Sequence, residues 1–249
     1  MPDYNSLHYH ERDSLLSFDP VNHIYTHADG TTFKSVTTLV EECFEKFDVD
    51  YWAPRIALKS GISEASLREQ WDSKAEKARA LGTLLHSKIE KYYLGKKPDT
   101  DDTFRLFELF TRDHLLNPYR TEWAIYDEKS GIAGTLDFLD YTDGQFTLYD
   151  WKRTDKIIEN GHPLTTNNYN KTAIPPLTHI PDTTYWHYTL QLSIYRYILH
   201  KNYGIAIRSN RLAVFHPDYT TYHLIEVPYL EKEVHTLLSK NYAPTPQYL

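Results

Sequence analysis

The chain has 249 residues, enough for one large domain or one ordinary domain with additions, and its 41% hydrophobic content with 21 Tyr is sufficient for a packed core and excludes wholesale disorder. No apolar run approaches the ~18 residues of a membrane helix, Met1 to Asn5 lacks the basic start and apolar stretch of a secretory signal, and one cysteine, Cys43, excludes an intrachain disulfide or a cysteine-only metal cluster, so a cytoplasmic protein is expected. The formal charge of −7, taken as a single number, argues against a nucleic-acid binder.

In chain order, Asn22 to Thr26 and Thr31 to Lys34 read as a hairpin about the Ala28-Asp29-Gly30 turn. Ser35 caps a short helix to about Phe44, and Asp50 is expected to cap another ending near Gly61. Ser63 opens a long helical pattern to Tyr93, with Leu81, Leu85, Ile89 and Tyr92 at helical spacing, and Thr103 to Leu116 fits a further helix. Three strands follow, Tyr119 to Tyr126, Ile132 to Tyr141 and Gln145 to Trp151, joined by short turns as an antiparallel meander. Residues 154–181 are polar and Pro-rich and read as a long loop. Tyr185 to Tyr203 is a helix ended by Gly204, Arg211 to Phe215 and Tyr222 to Val227 are strands, and Leu230 to Lys240 closes the chain as a helix. The mixed order predicts an α/β (α+β) fold: a central mixed sheet flanked by helices, with an N-terminal hairpin and helical additions. We expect a single domain over 1–249, with an extension over 1–80, a core over 81–215 and a strand and helix over 216–249.

Four segments carry chemistry. Asp150 and Lys152 alternate onto one face of the third strand, which fits a surface ion pair or a site where the carboxylate holds a metal and the ammonium neutralises a reacting oxygen. Asp137 lies in an apolar run on the neighbouring strand, so it needs a bulge to cap, an arginine or a cation, and the hairpin can bring it near Asp150. Gly82, His86 and Glu90 recur at i, i+4 and i+8 on a helix face bordering the core. Gly82 in mid-helix costs roughly 1 kcal/mol against Ala, which suggests close approach by another backbone or a ligand. Gln191 and Tyr195, at i and i+4, suit either a phosphate contact or the edge of an amphipathic core helix. In or near the long loop, Tyr169, Tyr185 and Trp186 suit base stacking or anchoring of the following helix.

Taken together, G-x-x-x-H-x-x-x-E (Gly82 to Glu90), Glu122 with Gly134-Thr135-Leu136-Asp137, Asp150-Trp151-Lys152 and Gln191 to Tyr195 resemble, in that order, the PD-(D/E)XK nuclease superfamily. The likeness is to its RecB-like branch, with phage-type and mitochondrial genome-maintenance exonucleases, and it spans residues 82–195. Leu136 stands for the signature Pro and Asp150 for the Glu, and Cys43 alone cannot supply the iron–sulfur cluster of some members.

The resemblance implies a restriction-endonuclease-like core and a metal-dependent DNA exonuclease, used in recombination, repair or DNA processing in a bacterial or phage-infected cell. A structure-specific or restriction-like endonuclease and a non-catalytic nucleic-acid binder are the alternatives. It implies Mg²⁺ or Mn²⁺ held by His86, Asp137, Asp150 and the Trp151 carbonyl, with Lys152 orienting or activating water and stabilising the phosphorane-like charge. Gln191 and Tyr195 would support the site or contact DNA, Glu122 would be an accessory acid, and Glu90 would orient a ligand or bind a metal-held water. Linear or single-stranded DNA ends are the implied partner, with a homo-oligomer or a recombination protein as further possibilities and no membrane. The charge distribution accommodates this: residues 59–97 carry +4 and 152–249 carry +3, whereas 1–58 carry −6 and 98–151, with Glu122, Asp137 and Asp150, carry −8.

Overall fold

The computed structural model describes residues 3–239. Its N-terminal part comprises α1 (Tyr4–Leu7), a 3-10 helix (Glu11–Leu15), β1 (Leu16–Asp19), β2 (Ile24–His27), β3 (Thr32–Ser35), α2 (Val36–Glu41) and α3 (Val49–Ser60). The centre runs α4 (Glu64–Tyr93), α5 (Asp102–Asp113), β4 (Pro118–Asp127), β5 (Ile132–Thr142), β6 (Gln145–Lys152), β7 (Ile158–Glu159) and β8 (His162–Pro163). The chain then continues through α6 (Thr184–Tyr203), β9 (Ile207–Val214), β10 (His223–Val227) and α7 (Glu231–Leu237).

Local chemistry sets most boundaries. The Ser35 and Ser63 hydroxyls accept the backbone N–H groups of Thr38 and Ser66 and start α2 and α4, and Gly204, in the left-handed region, ends α6. The cap of α3 is Asp48 rather than Asp50, because the Asp48 carboxylate accepts the Tyr51 N–H; Asp50 lies in the first turn. Asp101 caps α5, which stops at Asp113. The closing helix begins at Glu231 and ends at Leu237; Lys240, where it was expected to end, lies outside the described residues.

The fold is α/β: one mixed sheet of order β1-β2-β3-β5-β6-β9-β10, with β4 also on β5, and helices on both faces. β4, β5 and β6 form the antiparallel meander, while β3 pairs with β5 and β6 with β9 in parallel. Leu85 and Ile89 of α4 and Phe104, Phe107 and Phe110 of α5 pack with Phe138, Tyr149 and Trp151 in one core. Residues of α2, α6 and α7 pack with Ile125, Leu136, Leu148 and Leu212 in another. The boundary expected at residue 80 falls inside the continuous α4, and β10, beyond residue 215, pairs with β9 in the same sheet. No helix among the described residues is long and apolar enough to cross a membrane.

The long segment after β6 is not structureless. It forms the β7–β8 hairpin and buries Ile157, Ala173, Leu177 and Ile180 in the larger core, so scattered apolar residues among Pro and Asn fasten it down. The first residues, unassigned from sequence, cover the outer side of β4: the Asn5 amide donates to the Thr121 carbonyl at 2.8 Å and its oxygen accepts the Thr121 N–H at 3.3 Å.

What positions the site is a split in the sheet. β3 pairs with β5 only at Ile132 and Ala133, and β6 only from Phe138 onward. Along that side of β5, Gly134 to Asp137 have no strand partner. Where β6 leaves β5, the Asp137 carboxylate accepts the Trp151 N–H at 2.7 Å, replacing the lost ladder bond.

Candidate metal centre

Five charged side chains converge at the split. α4 delivers His86, whose Nε2–H donates to the Trp151 carbonyl at 2.8 Å. That bond fixes the tautomer and leaves Nδ1 directed at two carboxylates, Glu122 and Asp137, each 3.5 Å away. One ligand atom from each of His86, Glu122 and Asp137 lies within 4.8 Å of the others, a spacing that suits a metal ion. Burial opposes charge on His86, but Asp137 and Glu122 outweigh it and raise its pKa to about 9. Burial likewise raises the pKa of Asp137, against the pull of His86 and Lys152.

The second half of the site is the Asp150–Lys152 pair. The ammonium lies 2.7 Å from the Asp150 carboxylate, which is 1% exposed, and both Asp150 oxygens lack a hydrogen bond of good geometry. Burying a carboxylate's charge is costly, and the Lys152 ammonium is the cation that compensates Asp150. Burial raises the Asp150 pKa, with Lys152 opposing. Burial also disfavours charge on Lys152, yet Asp150 and Asp137 overcome it and hold the lysine above its ordinary value, so it is cationic. The Tyr188 ring lies 4.5 Å from the Lys152 nitrogen and adds cation–π stabilisation.

The residues singled out from sequence therefore gather in a way that differs in detail from the implied set. His86 and Asp137 take part in the three-residue group, and the third member is Glu122 rather than Asp150, which is held by Lys152. The Trp151 carbonyl is engaged by His86. Gln191 and Tyr195 are buried, and the Gln191 amide donates to the Tyr195 hydroxyl at 3.3 Å. Glu90, one turn from His86, is outside the group. Beside Gly82 a Cβ would meet nothing within 4 Å, so no protein backbone approaches it; the glycine that is closely packed is Gly134, where a Cβ would stand 2.7 Å from the Tyr195 ring. Tyr185 is buried in the core and the Trp186 indole donates to the Thr165 carbonyl, so both anchor α6, whereas Tyr169 is 84% exposed.

Two features escaped the sequence reading. Tyr188 stands at i−3 from Gln191 and i−7 from Tyr195, a helical spacing that places it on the same face. Glu122 has φ +44°, the only such non-glycine residue within a named strand among the described residues. For a residue that cannot bond back to its own backbone, this conformation costs roughly 1–2 kcal/mol. No residue-type signal announces it.

No protein-family model and no curated protein matches the chain. Nineteen chains of solved structures match it. One is the crystal structure of SSO0001, 18% identical, with 82% of this chain and 72% of that chain covered and a TM-score of 0.34. A likeness of that extent carries no argument about function.

Proposed function

We propose that the protein is a metal-dependent DNA exonuclease with a PD-(D/E)XK core. The observation that carries the reading is the single site joining His86, Glu122 and Asp137 to a buried Asp150–Lys152 pair at the split between β5 and β6. The succession of α4, the β4–β6 meander, α6 and a β9 parallel to β6 supports the same reading.

The donor set fits a divalent cation. Two carboxylates and one imidazole at ligand spacing suit Mg²⁺ or, with nitrogen among them, Mn²⁺. His86, Glu122 and Asp137 would hold the ion, with Asp150 beside them. When bound, such an ion polarises a phosphoryl oxygen and lowers the pKa of water.

The chain's own residues supply the rest. Lys152, held cationic, places a fixed positive charge where negative charge grows on the phosphoryl oxygens. A lysine held above its ordinary pKa is a poor proton acceptor, so its role is charge stabilisation and the water's proton goes to a neighbouring carboxylate. Asp137 fixes the frame by holding the Trp151 N–H, and Tyr188 fixes Lys152. Gln191 and Tyr195 brace the floor of the site over Gly134.

The test is incubation with end-labelled linear DNA and covalently closed circles, in Mg²⁺, Mn²⁺ or EDTA. Metal-dependent loss of label from linear DNA is expected, with circles intact. Lys152→Ala should lower the rate by about 10²–10³-fold while still binding metal. Absence of metal-dependent cleavage, or cleavage indifferent to Lys152→Ala, refutes the reading. Cutting of circles makes the enzyme an endonuclease.

A further inference from the structure

We propose that the N-terminal segment is a positioning device for Glu122, with Asp13 its central residue; the inference rests on the metal-centre reading above and deepens it. Residues on both sides of Glu122 are held by this segment. The Asp13 carboxylate accepts the Trp123 indole N–H at 2.8 Å and the Arg120 guanidinium N–H. Arg120 is 1% exposed, stacks over the Trp123 ring at 4.0 Å and donates to the Asn5 carbonyl. Asn5 clamps both backbone groups of Thr121. Asp13 is itself fixed, because its carboxylate also accepts the His10 N–H at the start of the 3-10 helix.

In an undistorted strand, residues 120 and 123 point to opposite faces. Here both side chains meet at one carboxylate, and the residue between them that absorbs the change is Glu122, at φ +44°. From this residue the carboxylate stands 3.5 Å from His86. Glu122 also lines an open depression of about 280 Å³, together with Asn5, Ser6, Tyr9, Asp13 and Trp123 among others. Glu122 therefore has room to leave the cluster, and the clasp is what opposes that departure. Once Asp13 lets go, the backbone at Glu122 is no longer held at φ +44° and its carboxylate is no longer fixed beside His86, while the strand register still leaves Glu122 opposite Asp137.

The test is Mn²⁺ binding to the full chain, read by electron paramagnetic resonance and calorimetry beside the melting temperature. Asp13→Asn keeps the shape but not the charge, and should weaken Mn²⁺ binding by about 10–100-fold, the range for residues that orient a metal ligand. Glu122→Gln should weaken it as well. The double variant Asp13→Asn/Glu122→Gln should bind no worse than Glu122→Gln alone, because Asp13 acts only through Glu122. Asn5→Ala, which leaves Asp13 in place, provides a second and milder perturbation in the same direction. If the Asp13→Asn and Asn5→Ala proteins melt lower yet bind Mn²⁺ within twofold of wild type, or if the Asp13 and Glu122 effects multiply, the clasp is only structural and the proposal fails. If wild type binds no Mn²⁺, the metal centre falls and this inference with it.

Discussion

Gly134→Ala tests the packing beneath the site. In an ordinary strand the change would stabilise, since Gly is worse than Ala by roughly 0.5–1 kcal/mol. At Gly134 the new methyl carbon would lie 2.7 Å from Tyr195 Cε1 and 2.9 Å from its hydroxyl oxygen, closer than carbon atoms pack. Tyr195 is 2% exposed and its hydroxyl accepts from Gln191, so the ring has little room to retreat. Overpacking of this kind costs about 1–3 kcal/mol, which after the intrinsic gain leaves a net loss of up to about 2.5 kcal/mol. For a chain of this size that lowers Tm by up to roughly 10 °C in a thermal melt followed by circular dichroism. The control is Tyr195→Ala, which removes the obstacle at a cost of its own. In that background Gly134→Ala should become neutral or stabilising, giving a coupling energy of about 1–3 kcal/mol. Gly134→Ala raising Tm in the wild-type background would refute the argument that the glycine exists to admit the Tyr195 ring.

Three other predictions concern charge and exposure. Because His86 is raised to about 9 by Asp137 and Glu122 against its burial, a metal ion must displace its proton. Mn²⁺ affinity should therefore climb by up to tenfold per pH unit between pH 6.5 and 9, and a flat calorimetric profile there would contradict this. The sign for metal-free stability is the reverse: a histidine raised on folding contributes fully below about pH 6.5 and loses its contribution as pH rises through about 9. Lys152→Met leaves Asp150 buried without its cation, so urea unfolding at pH 8 should show a loss of about 3–5 kcal/mol. That loss should shrink toward pH 5 as Asp150 is protonated, and a deficit independent of pH would mean the pair is not the cause. Cys43 is 1% exposed and burial pushes its thiol up to about 12, so one equivalent should react with a thiol reagent at pH 8 only after denaturation; reaction in the native protein would show that the core around α2 opens readily.

What the sequence reveals of this fold is the part decided locally. Ser35, Ser63 and Gly204 announce helix ends through short-range bonds to their own backbone neighbours, and the turns at Gly131 and Gly144 announce the meander. The parts it conceals are decided at long range. Residues 3–15 carry no usable period, because they attach to β4 through separate polar contacts such as Asn5 to Thr121, 116 positions away. The segment after β6 reads as a loop because its buried anchors are few: Ile157 stands alone, and Ala173, Leu177 and Ile180, although at i, i+4 and i+7, are interrupted by Pro175-Pro176. Within the site, Asp137 and Asp150 are conspicuous as acids in apolar runs. The role of Glu122 is not, because it depends on a backbone rotation that its own residue type disfavours and that the rest of the fold imposes.

The acidic balance acquires a local meaning at the split. Three carboxylates, Glu122, Asp137 and Asp150, face two cations, His86 in its protonated form and Lys152, so with every carboxyl ionised the metal-free site has an excess of negative charge. A phosphodiester brings one more, and in a site this buried such repulsion is poorly screened. Exchanging the imidazolium proton for a divalent cation brings the formal sum to zero while leaving Lys152 charged. On the proposed reading, then, the same carboxylates that make the chain acidic couple DNA binding to metal binding: without the ion the site repels the scissile phosphate, and with it the phosphate meets Lys152. The net charge of −7 is spread over the chain, and what the bound ion offsets is the local excess of carboxylates at the position where a phosphate would sit.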